Sequence, residues 1–308
     1  MKYIWLFNGF FQSILWSSVV KTLSERLPDE MLPKAIVVMS TPPALGTFVV
    51  YGISALLSSM GVSYKTVFLI PAVLLLVIGA AWFALTGRAD KLVTESELIP
   101  KERKKQKLSP AFLTVAALVL IIAISNGFIK DGVTTWTPSI LKEHYGMKES
   151  LSILLTVILP LIAIAGSWLS TGLHKRWKNT SGINALLYLT ETAVLFGVIL
   201  VTRYGSADNP VFLILLFSVS AMLMSAVNNI ITSIIPLYMR DRMESGLLAG
   251  VLDTFCYIGS SLSTGLLGYI SDKSSWNGVF LCLFAFGAAA FAFCVISATV
   301  GRKKQIIV

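Results

Sequence analysis

Nine long intervals of this chain are poor in charge and rich in apolar residues: 3–20, 35–64, 66–87, 108–141, 150–173, 179–202, 209–239, 245–271 and 274–301. Each reaches the ~17–25 residues that a helix needs to cross a bilayer. Between Lys65 and Arg88, and again between Lys273 and Arg302, no residue is charged. Neither interval can therefore present the charged face that a soluble amphipathic helix turns to water. The strict alternation of a membrane β-barrel is missing, and each run far exceeds a barrel strand of ~10 residues. The pattern predicts an all-α integral membrane protein with about nine transmembrane helices.

Composition strengthens this picture. The chain is 55% hydrophobic and 13% charged, about half the charged fraction of ~25% usual in globular domains, so lipid must solvate most of its surface. The first interval reads as a span rather than a cleaved leader, because Asn8, Gln12 and Ser13 interrupt its apolar core and no Ala-x-Ala site follows.

The net charge of +9 is a topology signal and gives no ground for nucleic-acid binding. Placing the loops at 21–34, 88–107, 175–178 and 240–242 and the tail after Gly301 on one side collects eighteen basic residues there, against six on the other. Basic loops stay cytoplasmic, so the C-terminus is expected inside and, with nine crossings, the N-terminus outside. The cluster Lys101 to Lys107 is placed to touch anionic lipid heads. Cys256, Cys282 and Cys294 lie in spans without metal-ligand spacing, so neither a disulfide nor a metal site is expected, and no cofactor is indicated. His144 and His174 read as solvated loop residues.

The polar stretch 88–110 divides three spans from six. Weak internal similarity links the first three spans to the last three: Leu45-Gly46 corresponds to Ile258-Gly259, and Tyr64 to Phe68 corresponds to Trp276 to Phe280. Two parallel six-helix halves joined by a basic cytoplasmic loop are the plan of the Major Facilitator Superfamily. On that plan, 1–87 is a three-helix remnant of the N-terminal bundle (helices four to six) and 88–110 the linker. Residues 111–301 are the C-terminal six-helix bundle and 302–308 a cytoplasmic tail. Helices one to three, about a hundred residues, have no counterpart upstream of Met1, so the fold is expected to be a partial, N-terminally truncated one.

Several polar residues fall at helical spacing inside the spans. Asn8, Gln12 and Trp16 recur every four residues in the first, and Ser225, Asn228, Asn229 and Thr232 form a stripe in the seventh. Asp253, Tyr257, Ser260 and Thr264 do so in the eighth. Such stripes either line a cavity or serve as hydrogen-bonded links between helices. Ionisable groups within a span cost ~2.5–3.5 kcal/mol each on insertion scales and commonly mark a pathway. Lys130 and Asp131 are the only charges in the thirty-four residues between Lys107 and Lys142, and they either face a cavity or snorkel to the outer rim. Asp253 and Glu191 lie inside their spans; a carboxyl group there can carry a proton or remain a neutral acid bonded to a neighbouring helix.

The run Asn8-Gly-Phe-Phe-Gln12 through Trp16, the segment Gly127 to Leu141 with Gly132, Trp136 and Pro138, and Glu244 to Asp272 with Ala249-Gly250, Tyr257-Ile258-Gly259 and Gly268-Tyr269 resemble helices four, seven and eleven of the organophosphate:phosphate antiporters. This is the branch that holds glycerol-3-phosphate and hexose-phosphate transporters. The resemblance implies that Lys130 stands where the family places an arginine that holds substrate phosphate. Lysine keeps the charge and loses the bidentate fork. The family's helix-five histidine falls near Pro43, and Gly166 to Arg176 is similar to the signature loop of the second half, with Thr171 at a commonly acidic position.

The expected function is secondary active transport of a small anionic organic solute, an organophosphate being the implied class, by alternating access. Lys130, Asp131, Trp136, Asn228, Asn229, Gln12, Asn8 and Tyr257 would bind substrate, and Asp253 or Glu191 would couple transport to protons. Phosphate is the other implied coupling ion, and the plasma (inner) membrane the expected location. Two rivals are a non-transporting sensor of a phosphorylated sugar and an inactive truncated transporter. No nucleophile–base set or nucleotide loop suggests an enzyme.

Overall fold

A computed structural model describes residues 2–28, 30–89, 110–204 and 210–303. Most of the 88–110 linker, with the Lys101 to Lys107 cluster, and residues 304–308 of the tail lie outside them. The described elements are α1 (Lys2–Arg26), α2 (Leu32–Ser59), α3 (Tyr64–Ala89), α4 (Pro110–Glu143), α5 (Glu149–Thr156) and α6 (Ile158–Trp177). They continue with α7 (Thr180–Tyr204), α8 (Val211–Asn229), a π-helical turn (Ile230–Ile234), α9 (Ile235–Tyr238), α10 (Ser245–Lys273) and α11 (Trp276–Lys303). No strand occurs among the described residues. Each of the nine apolar intervals contains a helical stretch among the described residues, which satisfies backbone polar groups within the segment as a hydrocarbon environment requires.

Eight of these helical stretches are long and apolar enough to cross a membrane, α5–α6 and α8–α9 each counting as one. The 25-residue α1 is the more polar exception. The protein is thus a multi-pass membrane protein. Proline explains the two interruptions. Pro160 has no N–H for the Thr156 carbonyl, and the chain tightens between α5 and α6, with the Val157 N–H bonding the Leu154 carbonyl at 3.2 Å. Pro236 likewise has none for the Thr232 carbonyl and lies two residues past the end of the π-helical turn.

Helices α4, α6, α7, α8, α10 and α11 pack on one another around a core that includes Phe128, Tyr188, Phe217 and Phe280. Phe128 also stacks on Phe286, the ring centroids 3.7 Å apart. Polar links stitch the bundle: Asn126 Nδ2 donates to the Met224 carbonyl at 2.9 Å, and the Tyr188 hydroxyl to the Ile122 carbonyl at 3.1 Å. The closest approach joins α4 to α10. A Cβ at Gly127 would lie 1.8 Å from the Cys256 carbonyl oxygen, and one at Gly259 would lie 1.9 Å from that of Ile124. Only glycine permits backbones this near, the small-residue device of helix contacts in membranes.

Outside this bundle, α1 lies chiefly against α10, and α2 against α5 and α6. Arg240 holds the end of α1, its Nη1 donating to the Ser24 and Leu27 carbonyls at 3.1 and 3.0 Å. Helix α3 turns outward residues such as Leu75, Trp82 and Phe83, a surface suited to lipid. The two histidines correct the expectation of solvated loops. His144 is half-buried edge-on to Tyr145, and desolvation holds its pKa below the usual imidazole value. His174 is buried in the last turn of α6 against the Tyr238 ring, at 4.6 Å.

Candidate functional site: a central polar cavity

A cavity of about 350 Å³ opens where α1, α2, α4, α6, α8 and α10 converge. Its charged wall comes from neighbouring helices. Lys130 and Asp131 arrive on α4, and Asp253 with Tyr257 and Ser260 on α10. Lys130 Nζ lies 3.6 Å from Asp131 Oδ1, both side chains about one-third exposed. The Ser260 hydroxyl donates to the other carboxylate oxygen, so Asp131 is held from two helices. With three N–H donors and no acceptor, the lysine has capacity left for a ligand.

The opposite wall is neutral and polar. Asn228, Asn229, Thr232 and Ser233 face the cavity from the end of α8 and its π-helical turn. Asn229 Nδ2 donates to Ser170 Oγ at 2.8 Å, tying α8 to α6. Here the effect of Pro236 becomes useful: the Thr232 carbonyl, four residues earlier, accepts the Trp16 indole N–H at 3.1 Å. A backbone acceptor created by a proline thus joins α8 to α1.

The structure brings together Lys130, Asp131, Asn228, Asn229, Asp253 and Tyr257 from the expected set. It does not bring in the others. Asn8 and Gln12 are exposed and bonded to each other at 3.2 Å, outside the cavity wall. Trp136 packs under Gly268, 3.0 Å from the point its Cβ would occupy, and beside Trp276; its indole N–H has no partner among the described residues. Glu191 is fully buried between α7 and α8, where the Ser220 hydroxyl donates to Oε1 at 2.5 Å and Oε2 has no described partner.

Sequence reading missed the contribution of α2. Ser40, Pro43, Thr47 and Tyr51 all line the cavity, and their spacing of three, four and four is the signature of one helical face. The stripe is present in the sequence, but Pro43 carries no polar side chain and breaks the run of hydroxyls that would mark it.

The site pairs one cation with two carboxylates, amides and hydroxyls in a half-open cavity at the small end of the ~300–1,000 Å³ range of ligand pockets. It suits recognition of a small polar solute. Among the described residues no group of three or more His, Cys, Asp or Glu is arranged to hold a metal ion.

Comparison with known proteins agrees with this architecture. A glycerol-3-phosphate transporter of Bacillus subtilis (strain 168) is 24% identical over 332 aligned positions, covering 99% of this chain and 72% of that protein. The uncharacterized MFS-type transporter YvkA of the same organism is 26% identical over 166 positions, 54% of this chain and 35% of its own length. Residues 3–243 match the family model described as Major Facilitator Superfamily. A multi-pass helical bundle around a polar cavity, matched over more than three-quarters of its length, places this chain in the Major Facilitator Superfamily.

Proposed function

We propose that this family member moves a small anionic organic solute across the membrane by alternating access, a phosphorylated solute being the favoured class. One observation carries the reading: Lys130 stands in the wall of the central cavity, inside a membrane-length helix where an unneeded charge would be costly. The similarity to a glycerol-3-phosphate transporter supports the organophosphate class. Asp131, shared between Lys130 and Ser260, would orient the ammonium and compete with the substrate for it. Asp253 faces the same cavity and, as a proton carrier, would couple uptake or efflux to the proton gradient; phosphate is the alternative counter-solute.

The basic-loop asymmetry supports a plasma-membrane orientation with the N-terminus outside and the C-terminus in the cytoplasm. In this reading α1–α3 belong to one half of the transporter and α4–α11 form the other.

Uptake of glycerol 3-phosphate into proteoliposomes, compared between the wild type and Lys130→Ala, tests the proposal. Loss of charge-assisted hydrogen bonds worth ~1.5–3 kcal/mol predicts roughly 10–100-fold weaker apparent affinity, with Lys130→Arg retaining transport. Equal flux in wild type and Lys130→Ala would sink the anion-anchor role. Saturable binding without flux would point to a sensor.

A further inference from the structure

A second cavity, of about 550 Å³, lies at the ends of α6, α7 and α9 and shares no lining residue with the central one. Its rim is the tight α6–α7 turn. Lys178 closes α6 in the left-handed conformation (φ 49°), its N–H bonding the His174 carbonyl at 3.0 Å. Asn179 then caps the next helix, Oδ1 accepting the Gly182 N–H at 2.9 Å. Lys175, Lys178 and Arg242 line this cavity with one carboxylate, Asp241, leaving it net positive.

Two buried polar atoms at this site lack a partner among the described residues. They are His174 Nδ1 and Thr180 Oγ1, on side chains 8% and 3% exposed, and both residues line the cavity. Buried polar atoms are normally paired, so two unpaired ones on residues that line one cavity mark a place for a ligand. Thr180 opens the 25-residue α7; Asn179 already takes the Gly182 and Ile183 N–H groups, and the positive dipole end of the helix adds to the attraction for an anion.

We propose that this cavity binds a phosphate group, from either an anionic lipid headgroup or a free phosphate. The Thr180 hydroxyl and His174, in its Nδ1–H tautomer, supply neutral donors. Lys178 and Arg242 supply charge, and Arg242 adds the forked geometry that matches phosphate oxygens. The site stands apart from Lys130 and does not depend on what the central cavity carries.

The test uses the full chain in phosphatidylcholine nanodiscs, titrated with inorganic phosphate against sodium chloride of equal ionic strength. A second set uses discs containing phosphatidylglycerol, and thermal unfolding midpoints are the readout. A midpoint that rises saturably with phosphate assigns a free phosphate. One already raised by phosphatidylglycerol, and then indifferent to phosphate, assigns a headgroup. Either response should weaken roughly tenfold in half-saturating concentration, or vanish, in Lys178→Gly and Arg242→Ala, and persist in Lys130→Ala. Lys178→Gly removes the charge while supplying the residue that a left-handed position favours, so folding is preserved. No response to either probe, or an equal response in wild type and both variants, overturns the proposal.

Discussion

Replacing Gly259 by alanine tests the close α4–α10 contact beside the central cavity. The added Cβ would sit 1.9 Å from the Ile124 carbonyl oxygen and 2.8 Å from the Phe128 nitrogen. Ordinary contact begins near 3.4 Å, so the two helices must part locally by about 1.5 Å. Both neighbours are backbone atoms, and no rotamer change can relieve the clash. Overpacking of this kind costs ~1–3 kcal/mol. Ser260, the next residue, would be drawn off Asp131, loosening the carboxylate beside Lys130. The assay is thermal unfolding of the purified protein in detergent, with Gly265→Ala as the internal comparison. Gly265 is on the same helix with nothing within 4 Å of its Cβ position, and alanine there gains ~1 kcal/mol of helix propensity. Gly259→Ala is expected to melt lower by on the order of 5 °C, and Gly265→Ala at or above wild type. If Gly259→Ala melts as high as Gly265→Ala, the close-contact reasoning is wrong.

Three other outcomes are expected. Asn126→Leu removes the bond from α4 to the Met224 carbonyl of α8 and should destabilise the bundle by ~1 kcal/mol, the usual scale for polar contacts in membranes, read as a lowered midpoint in the same assay. Arg240→Ala frees the Ser24 and Leu27 carbonyls, so limited proteolysis should cut the 21–34 segment several-fold faster, while a surface variant such as Lys148→Ala leaves the rate unchanged. Asp253→Asn should abolish acceleration of solute uptake by an imposed pH gradient while preserving counterflow exchange; an unchanged gradient response removes Asp253 from coupling.

Charge-free runs fix where spans must be, because a helix that cannot face water has few alternatives, and each of the nine intervals contains a helical stretch among the described residues. The direction of a polar stripe is harder to read. Periodicity groups Asn8 with Gln12 and Ser225 with Asn228 equally well, yet only the second pair faces the cavity. Which face meets a neighbouring helix is decided by tertiary packing, which a period does not encode. Trp136 and Glu191 show the same limit: Glu191 is buried between α7 and α8, and Trp136 is half-buried against Gly268 and Trp276, so neither lines the cavity. Lys130 and Asp131 were legible as a pair because charge in a span is costly wherever it points. Their third member, Ser260, is 129 residues away in sequence and became apparent only when the Gly127–Gly259 approach brought α10 against α4.

The bond between Trp16 and the Thr232 carbonyl also bears on movement. An acceptor left bare by Pro236 inside a cavity can exchange an indole donor for water. Separation of α1 from α8 then trades one hydrogen bond for another and orphans no buried group. At this point α1 and α8 can part without loss of hydrogen bonding, whereas the glycine contact of α4 and α10 brings backbones too close for water to take either one's place.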